Sequence, residues 1–325
     1  MNVQVIGAGS WGIALARLLA RNGHTVRLWG RPEDGLDVLR ETRHSPIYLC
    51  DIELPDAVEV SEDTDANADM AVFALASHAV RPVAQQHPFS PSTIRVSGAK
   101  GIEIDTLQRM TQVLTDVCGA CPVVALSGPS HAEEVAQDLP ATVAAASADP
   151  SACQAVQEAF MGDTFRVYTT PDVVGVELGG SVKNIIAIAA GVCDGFALGD
   201  NAKAALITRG LAEISRLGVA MGADPLTFAG LSGMGDLIVT CASRHSRNRA
   251  VGERIAQGMT PEQAVAASPM IAEGVRTTKA ARVLAERHGV EMPITQQVHA
   301  ILFENADPRQ AVADLMQRQA KPERG

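Results

Sequence analysis

VQVIGAGSWG, residues 3–12, is the stretch on which the fold turns: a β-branched run, Val3 to Ile6, passes straight into a glycine turn, and a helical stretch follows. Gly7, Gly9 and Gly12 stand in G-x-G-x-x-G spacing. Alone that fingerprint is weak; after a first strand and before a helix it is much stronger. Gly7 allows the tight turn, Gly9 lets a pyrophosphate approach the backbone, and Gly12 lets helix and strand pack closely. Free N–H groups at the helix start would hold the phosphates. The bland alternative is a glycine turn that binds nothing, and the flanking strand and helix weigh against it.

The second strand, Thr25–Trp29, runs into Gly30 and Arg31 with no acid at its end. An NAD-selective site carries Asp or Glu there for the ribose 2′-OH. Arg31 would instead meet a 2′-phosphate, which leans the expectation towards NADPH and leaves NADH open. The alternative is a solvated arginine paired with Glu33 or Asp34.

Further short, β-branched runs follow at Met70–Leu75, Ile94–Ser97, Val123–Ser127, Ala141–Ala146 and Phe165–Thr169. Helical stretches such as Gly12–Asn22, Leu107–Val117 and Ser151–Met161 alternate with them. Alternating apolar strands and helices imply a parallel sheet covered on both faces. From Pro171 the strand signals vanish. Leu206, Ile207, Leu211, Ile214 and Leu217 form one helical stripe within Lys203–Met221, and Gly222 with Asp224-Pro225 stops it. More helices are expected at Ser246–Gln257, Thr260–Ala267, Gly274–His288, Ile294–Glu304 and Pro308–Arg318, with Ser246 as a cap and Pro261 in the first turn after Thr260. The expected division is an α/β domain over 1–172 and an all-helical domain over 173–325, with a ligand cleft at their junction.

That junction leads into GVELGGSVKNIIAIAAGVCDG, residues 175–195. Its centre, Ile185–Cys193, is apolar on every side, so the helix is buried all round. At nine residues the centre is shorter than the ~20 a bilayer needs, and no later run reads as long enough to span one. Lys183 and Asn184 stand at its edge, an odd place for an ammonium, since burial costs free energy or lowers the pKa. The bland alternative is a lysine that snorkels to solvent or pairs with Glu177.

Composition narrows the function. The 325 residues are 46% hydrophobic and 20% charged, and the net charge of −10 argues against nucleic acid and anionic membranes as partners. The start of the chain does not read as a signal peptide. Six cysteines are scattered; Cys118 and Cys121 form a lone CGAC with no second ligand pair, which reads as ordinary reduced thiols and no metal site. A cytoplasmic location is expected. Disorder is expected only in the last residues, KPERG.

Four other turns combine glycine with a basic or polar residue: Ala99-Lys100-Gly101, Ser127-Gly128-Pro129-Ser130, Gly233-Met234-Gly235-Asp236 and Ser246-Arg247-Asn248. Singly each reads as a turn or cap. Together with Lys183, in this order, they resemble the NAD(P)-dependent glycerol-3-phosphate dehydrogenase family of bacterial type. The resemblance runs from GAGSWG through AKGIE, SGPSHAEE, the Lys183 block, LSGMGDLIVTCASRHSRNR and EGVRTTK to GVEMPIT. It implies a Rossmann-type domain followed by a helical domain like that of 6-phosphogluconate dehydrogenase. It also implies interconversion of dihydroxyacetone phosphate and sn-glycerol 3-phosphate, supplying phospholipid synthesis, in a cytoplasmic homodimer.

In that family the lysine matching Lys183 is the general acid/base. Lys100, Gly128, Ser130, Asp236, Ser246, Arg247 and Asn248 match its substrate contacts. Ser10, Trp11, Arg31, Lys100, Ala132, Arg247, Ile271 and Glu273 match its dinucleotide contacts. The chain departs from the family at Ala99, usually threonine, at Ala76, usually proline, and at His131, usually an aromatic. His131, two residues after Pro129, reads as a capping or solvated histidine rather than a base. Two other readings remain: a hydroxy-acid or ketopantoate-type reductase of the same architecture, which would not require a phosphate, and a silent dinucleotide sensor.

Overall fold

A computed structural model describes residues 1–268, 270–320 and 322–323; most of the tail expected to be disordered lies outside the described residues. Eight strands form one sheet: β1 Asn2–Ile6, β2 Thr25–Trp29, β3 Val58–Ser61, β4 Met70–Phe73, β5 Ile94–Ser97, β6 Val123–Ser127, β7 Ala141–Ala146 and β8 Phe165–Thr170. Their order is β3-β2-β1-β4-β5-β6-β7-β8. The helices of this half are α1 Ser10–Arg21, α2 Leu36–Thr42, α3 Ser77–Gln86, α4 Met110–Cys118, α5 Ala132–Ala136 and α6 Pro150–Phe160.

Strand alternation covers both faces. Val3, Val5 and Val72 pack on one side with Leu15 and Leu19 of α1, while Ile6, Ala71 and Phe73 pack on the other with Val80 of α3 and Leu114 of α4. Strand order reverses between β1's neighbours β2 and β4, which opens a crevice at the carboxyl ends, where such sheets bind ligands.

The sequence led us to expect a parallel sheet, and the structure corrects this at one place: β6 and β7 pair antiparallel, Ser127 against Ala144. The link between them explains it. The five residues of α5 rise only about 7.5 Å, whereas returning a parallel strand to its start needs a longer crossover helix. β3, only four residues long, and the short helices α2 and α5 escape the periodicity, and so does α3, a ten-residue helix with Pro82 inside it.

The second half is helical: α7 Val173–Gly195, α8 Asp200–Ala220, α9 Pro225–Phe228, α10 Asp236–Ala242, α11 Arg247–Ala256, α12 Pro261–Ala266, α13 Glu273–His288, α14 Pro293–Phe303 and α15 Pro308–Met316. α7 is the axis, contacted by α8, α10, α11, α13 and α14. Its 23 residues correct the expectation that no run could span a membrane: by length and composition this helix could, as could Pro225–Ala242. What the structure shows is that the apolar window of α7 is 83% buried among its neighbours. Close approach to α11 depends on two glycines. A Cβ on Gly191 would lie 1.9 Å from the Arg249 oxygen, and one on Gly252 would lie 1.9 Å from the Ile188 oxygen.

The helix starts follow the sequence. Asp172 accepts from the Gly175 N–H at 2.9 Å, and Thr260 with Gln263 closes a reciprocal cap around Pro261.

Candidate active site

Where α7 meets the sheet, a cavity of about 440 Å³ runs between the two halves. One end is the glycine turn. Gly7 takes φ 112°, and its N–H donates to the Trp29 carbonyl at 2.9 Å, so the turn is tied to β2. A Cβ on Gly7 would lie 2.7 Å from the Ala74 oxygen, and one on Gly12 only 1.7 Å from the Gly7 oxygen. Gly9 has nothing within 4 Å of its Cβ position, leaving an open cradle beside the first turn of α1. Trp11 lines it with a buried Nε1 that has no hydrogen-bond partner among the described residues. An open glycine cradle, a helix N-terminus and an orphaned donor fit a dinucleotide.

Gly7, Gly9, Ser10, Trp11, Arg31, Ala132, Ile271 and Glu273 all line the cavity; Gly12 lies behind it as packing. Arg31 stands exposed at the rim, where Asp34 holds its Nη2 at 3.0 Å and Nε at 3.3 Å. The acid that the sequence offered as an alternative partner is therefore present, and the guanidinium still faces the cavity. Glu273, first residue of α13, accepts from the Ser77 N–H at 2.9 Å and the Ser77 hydroxyl at 2.7 Å, joining the helical half to the start of α3.

The other end is built from buried charge. Lys183 is 4% exposed and Asp236 1%. Asp236 Oδ1 accepts from Lys183 Nζ at 2.7 Å, and its Oδ2 accepts from Lys100 Nζ at 2.8 Å. One carboxylate thus bridges two ammonium groups. Lys183 also donates to Thr240 Oγ1 at 2.5 Å, and Lys100 to the Gly128 carbonyl at 3.0 Å. Each ammonium has three N–H donors, so each keeps one for a ligand. Burial first, and repulsion from Lys100 after it, bring Lys183 down to about 8, against the pull of Asp236. Two positive charges and one negative leave this pole net positive in a chain of net charge −10. Glu177 does not compete for Lys183: it accepts from the Thr111 N–H at 2.8 Å and hydroxyl at 2.6 Å, and pairs with Arg109.

A π-helical turn, Leu231–Gly235, delivers Asp236 to the start of α10, and Thr240 follows four residues later on the same face. Ser246 caps α11 by accepting from the Arg249 N–H at 3.2 Å. Arg247 is exposed, lines the cavity and has no ion-pair partner among the described residues. Asn248 donates to Asn184 Oδ1 at 2.9 Å and accepts from the Gly274 N–H at 2.9 Å, which fixes α11 to α7 and α13. Ser130 lines the cavity and donates to the Gly128 carbonyl at 2.9 Å; Gly128 itself is buried behind it.

Thr240 and Asn184 were not among the residues expected to form the site. The signal for Thr240 was its i+4 spacing from Asp236; Asn184 was marked only by its place beside Lys183. His131 corrects the expectation of a capping or solvated residue. Its side chain makes no cap bond to α5, it lines the cavity, and burial with Lys183 and Lys100 pushes it below its ordinary pKa.

Residues 2–153 match the family described as NAD-dependent glycerol-3-phosphate dehydrogenase N-terminus, and residues 172–313 match its C-terminus counterpart. A glycerol-3-phosphate dehydrogenase (NAD(P)+) of Salinibacter ruber is 52% identical over 330 residues, covering 99% of this chain and 96% of that one. One from Pelotomaculum thermopropionicum is 52% identical, covering 97% and 93%. The crystal structure of glycerol-3-phosphate dehydrogenase from Coxiella burnetii superposes with a TM-score of 0.93 at 39% identity, covering 98% of this chain and 99% of that one.

Proposed function

We propose, for a chain that belongs to the NAD-dependent glycerol-3-phosphate dehydrogenase family, that Lys183 moves the proton and that Asp236, Lys100 and the start of α11 hold the substrate. The protein is an oxidoreductase that interconverts dihydroxyacetone phosphate and sn-glycerol 3-phosphate with NAD(P)H. The observation that carries the assignment of roles is the Asp236 carboxylate bridging Lys100 and Lys183.

Bound NAD(P)H supplies the hydride. Gly7, Gly9, Ser10, Trp11, Ala132, Ile271 and Glu273 would hold it, with Arg31 at the ribose phosphate favouring NADPH over NADH. As the ketone carbon is reduced, negative charge grows on its oxygen. Lys183 donates its remaining N–H there and then gives up that proton. In the reverse direction the neutral amine accepts the proton of the C2 hydroxyl. A lysine near 8 serves both directions around neutrality, which an ordinary one at 10.5 would not. Asp236 and Thr240 fix the ammonium so that little reorganisation is needed when the charge develops.

Lys100, Ser130, Ser246, Arg247 and Asn248, with the Gly128 backbone, surround the rest of the substrate. Of the two arginines that line the cavity, Arg247 is the one with no ion-pair partner among the described residues, and a fork of that shape suits a phosphate. The proposal extends to a division at 1–172 and 173–325, and to a cytoplasmic homodimer, without membrane insertion, that feeds phospholipid synthesis. The family likeness and the burial of α7 support it.

The test is loss of NADPH absorbance on adding dihydroxyacetone phosphate, with unphosphorylated dihydroxyacetone, ketopantoate and NADH as parallel arms. Oxidation confined to the phosphorylated ketone is expected. Turnover of ketopantoate without phosphate would select the reductase reading instead.

A further inference from the structure

Glu177 is a buried charge that the proposed chemistry does not use. It is 7% exposed and lies in the first turns of α7, ahead of Lys183 on the same helix. Its carboxylate reaches out of the helical half: it accepts from the Thr111 N–H at 2.8 Å and the Thr111 hydroxyl at 2.6 Å, and it pairs with Arg109. Arg109 immediately precedes α4 and Thr111 is the second residue of that helix. A carboxylate of α7 thus caps a helix of the α/β half, where free N–H groups favour negative charge.

The segment that leads to this cap starts at Lys100. Residues 101–109 double back on themselves: Ile102 and Arg109 face each other in an antiparallel bridge, and the Glu103 N–H donates to the Gln108 carbonyl at 3.0 Å. The clamp on Arg109 therefore acts beside Ile102, close in the chain to Lys100. Ile102 and Leu107 belong to the same apolar cluster as Leu178 and Val182 of α7. Ser181, on the face of α7 that carries Glu177 one turn earlier, donates to the Gly101 carbonyl at 3.2 Å. Gly180 beside it leaves room for the lysine stem, since a Cβ there would lie 3.8 Å from Lys100 Cγ and 2.3 Å from Ser127 Oγ. Arg81 of α3 ties the outer edge through Glu103 at 2.8 Å and Gln108 at 2.7 Å. That tie stays within the α/β half and does not fix where the segment sits along α7.

We propose that Glu177, with Ser181 one turn further along α7, is a positioning residue for Lys100: the two hold residues 101–111 against α7 and so set how the Lys100 ammonium reaches Asp236. The inference rests on the reading of Lys100 as part of the substrate end of the cavity. The Lys100 ammonium meets Asp236 and the Gly128 carbonyl at the tip of a long stem, and ordering such a stem costs conformational entropy unless its root is already held. α7 then carries both cations of the bridge, Lys183 on its own backbone and Lys100 through this brace. One rigid helix sets their spacing around the carboxylate.

The test is a double-mutant cycle on reduction of dihydroxyacetone phosphate, pairing Glu177→Gln with Lys100→Met. Each single change should lower kcat/KM by about tenfold or more, the loss expected for a charge-assisted contact. In the Lys100→Met background, Glu177→Gln should lower it by no more than about twofold, because a residue that acts through Lys100 has nothing left to position. Losses that multiply would show that Glu177 acts on the fold at large and would overturn the proposal, as would a Glu177→Gln enzyme with wild-type kcat/KM. Lys100→Met with wild-type turnover would instead remove Lys100 from the substrate end, and the inference with it. Circular dichroism shows which variants are folded. Should Glu177→Gln fail to fold, Ser181→Ala takes its place in the cycle; its loss, about threefold for one neutral hydrogen bond, must vanish in the Lys100→Met background, and a loss that persists there overturns the proposal.

Discussion

Around residues 7–12 the polar groups offered to a ligand are backbone N–H groups and the Trp11 Nε1, set by a turn that has no room for side chains at Gly7 and Gly12. At the opposite end of the same cavity they are side chains, two lysines sharing one carboxylate, gathered from the loop after β5, from α7 and from α10. The first end is local in sequence and does not titrate. The second is assembled from residues as far apart as Lys100 and Asp236, and its charge state depends on burial. On the proposed roles the cavity separates holding from reacting, and sensitivity to pH and to single charge changes should concentrate at the lysine end.

The largest effect should come from Lys183→Ala, which should lower kcat about 10³-fold, within the usual range for a lost general acid, with KM for NADPH little changed. Near-wild-type turnover would break the contrast outright. Asp236→Asn should follow: removing one partner of a buried ion pair costs about 3–5 kcal/mol, read as a lower urea midpoint of unfolding. A merely catalytic loss with unchanged stability would show that the bridge is not structural. Arg247→Ala should raise KM for the phosphorylated ketone about 10–100-fold, from one or more lost charge-assisted bonds, far more than Lys183→Ala raises it.

The pH profile sharpens the same contrast. Lys183 sits lowered, at about 8. Ketone reduction needs its ammonium, so kcat in that direction should hold below pH 8 and fall about tenfold per unit above it. Alcohol oxidation needs the amine, so its kcat should rise through the same range. NADPH affinity, set by the backbone end, should vary little over this interval. Arg31→Ala should have the smallest effect, raising KM for NADPH several-fold and leaving NADH unchanged, because the side chain is exposed and shared with Asp34. Equal changes for both cofactors would remove it from the 2′-phosphate.

Much of the fold and of the site was legible before any coordinates. The glycine turn is a contiguous pattern whose meaning is local, and seven of the eight strands show as β-branched runs. The long helices are marked by stripes and caps, such as Thr260-Pro261. Not legible were β3, which alternates exposed and buried residues over only four positions, the short helices α2 and α5, and α3, whose ten residues carry Pro82 inside the helix. Nor was the 23-residue length of α7: the sequence put Lys183 at the edge of the buried helix, whereas the helix starts ten residues earlier, at Val173.

What the sequence by itself determined is therefore the order of most elements, the glycine turn and the place of the lysine proposed as acid/base, each encoded in neighbours along the chain or in an ordered set of motifs. Only the tertiary structure decided that β7 runs antiparallel to β6, that Asp236 takes both Lys100 and Lys183, and that Glu177 goes to Arg109 instead. The physical reasons are two: strand direction follows from what a connection can span, and the energy of a charge follows from the groups that folding packs round it, which for Asp236 and Glu177 come from distant segments.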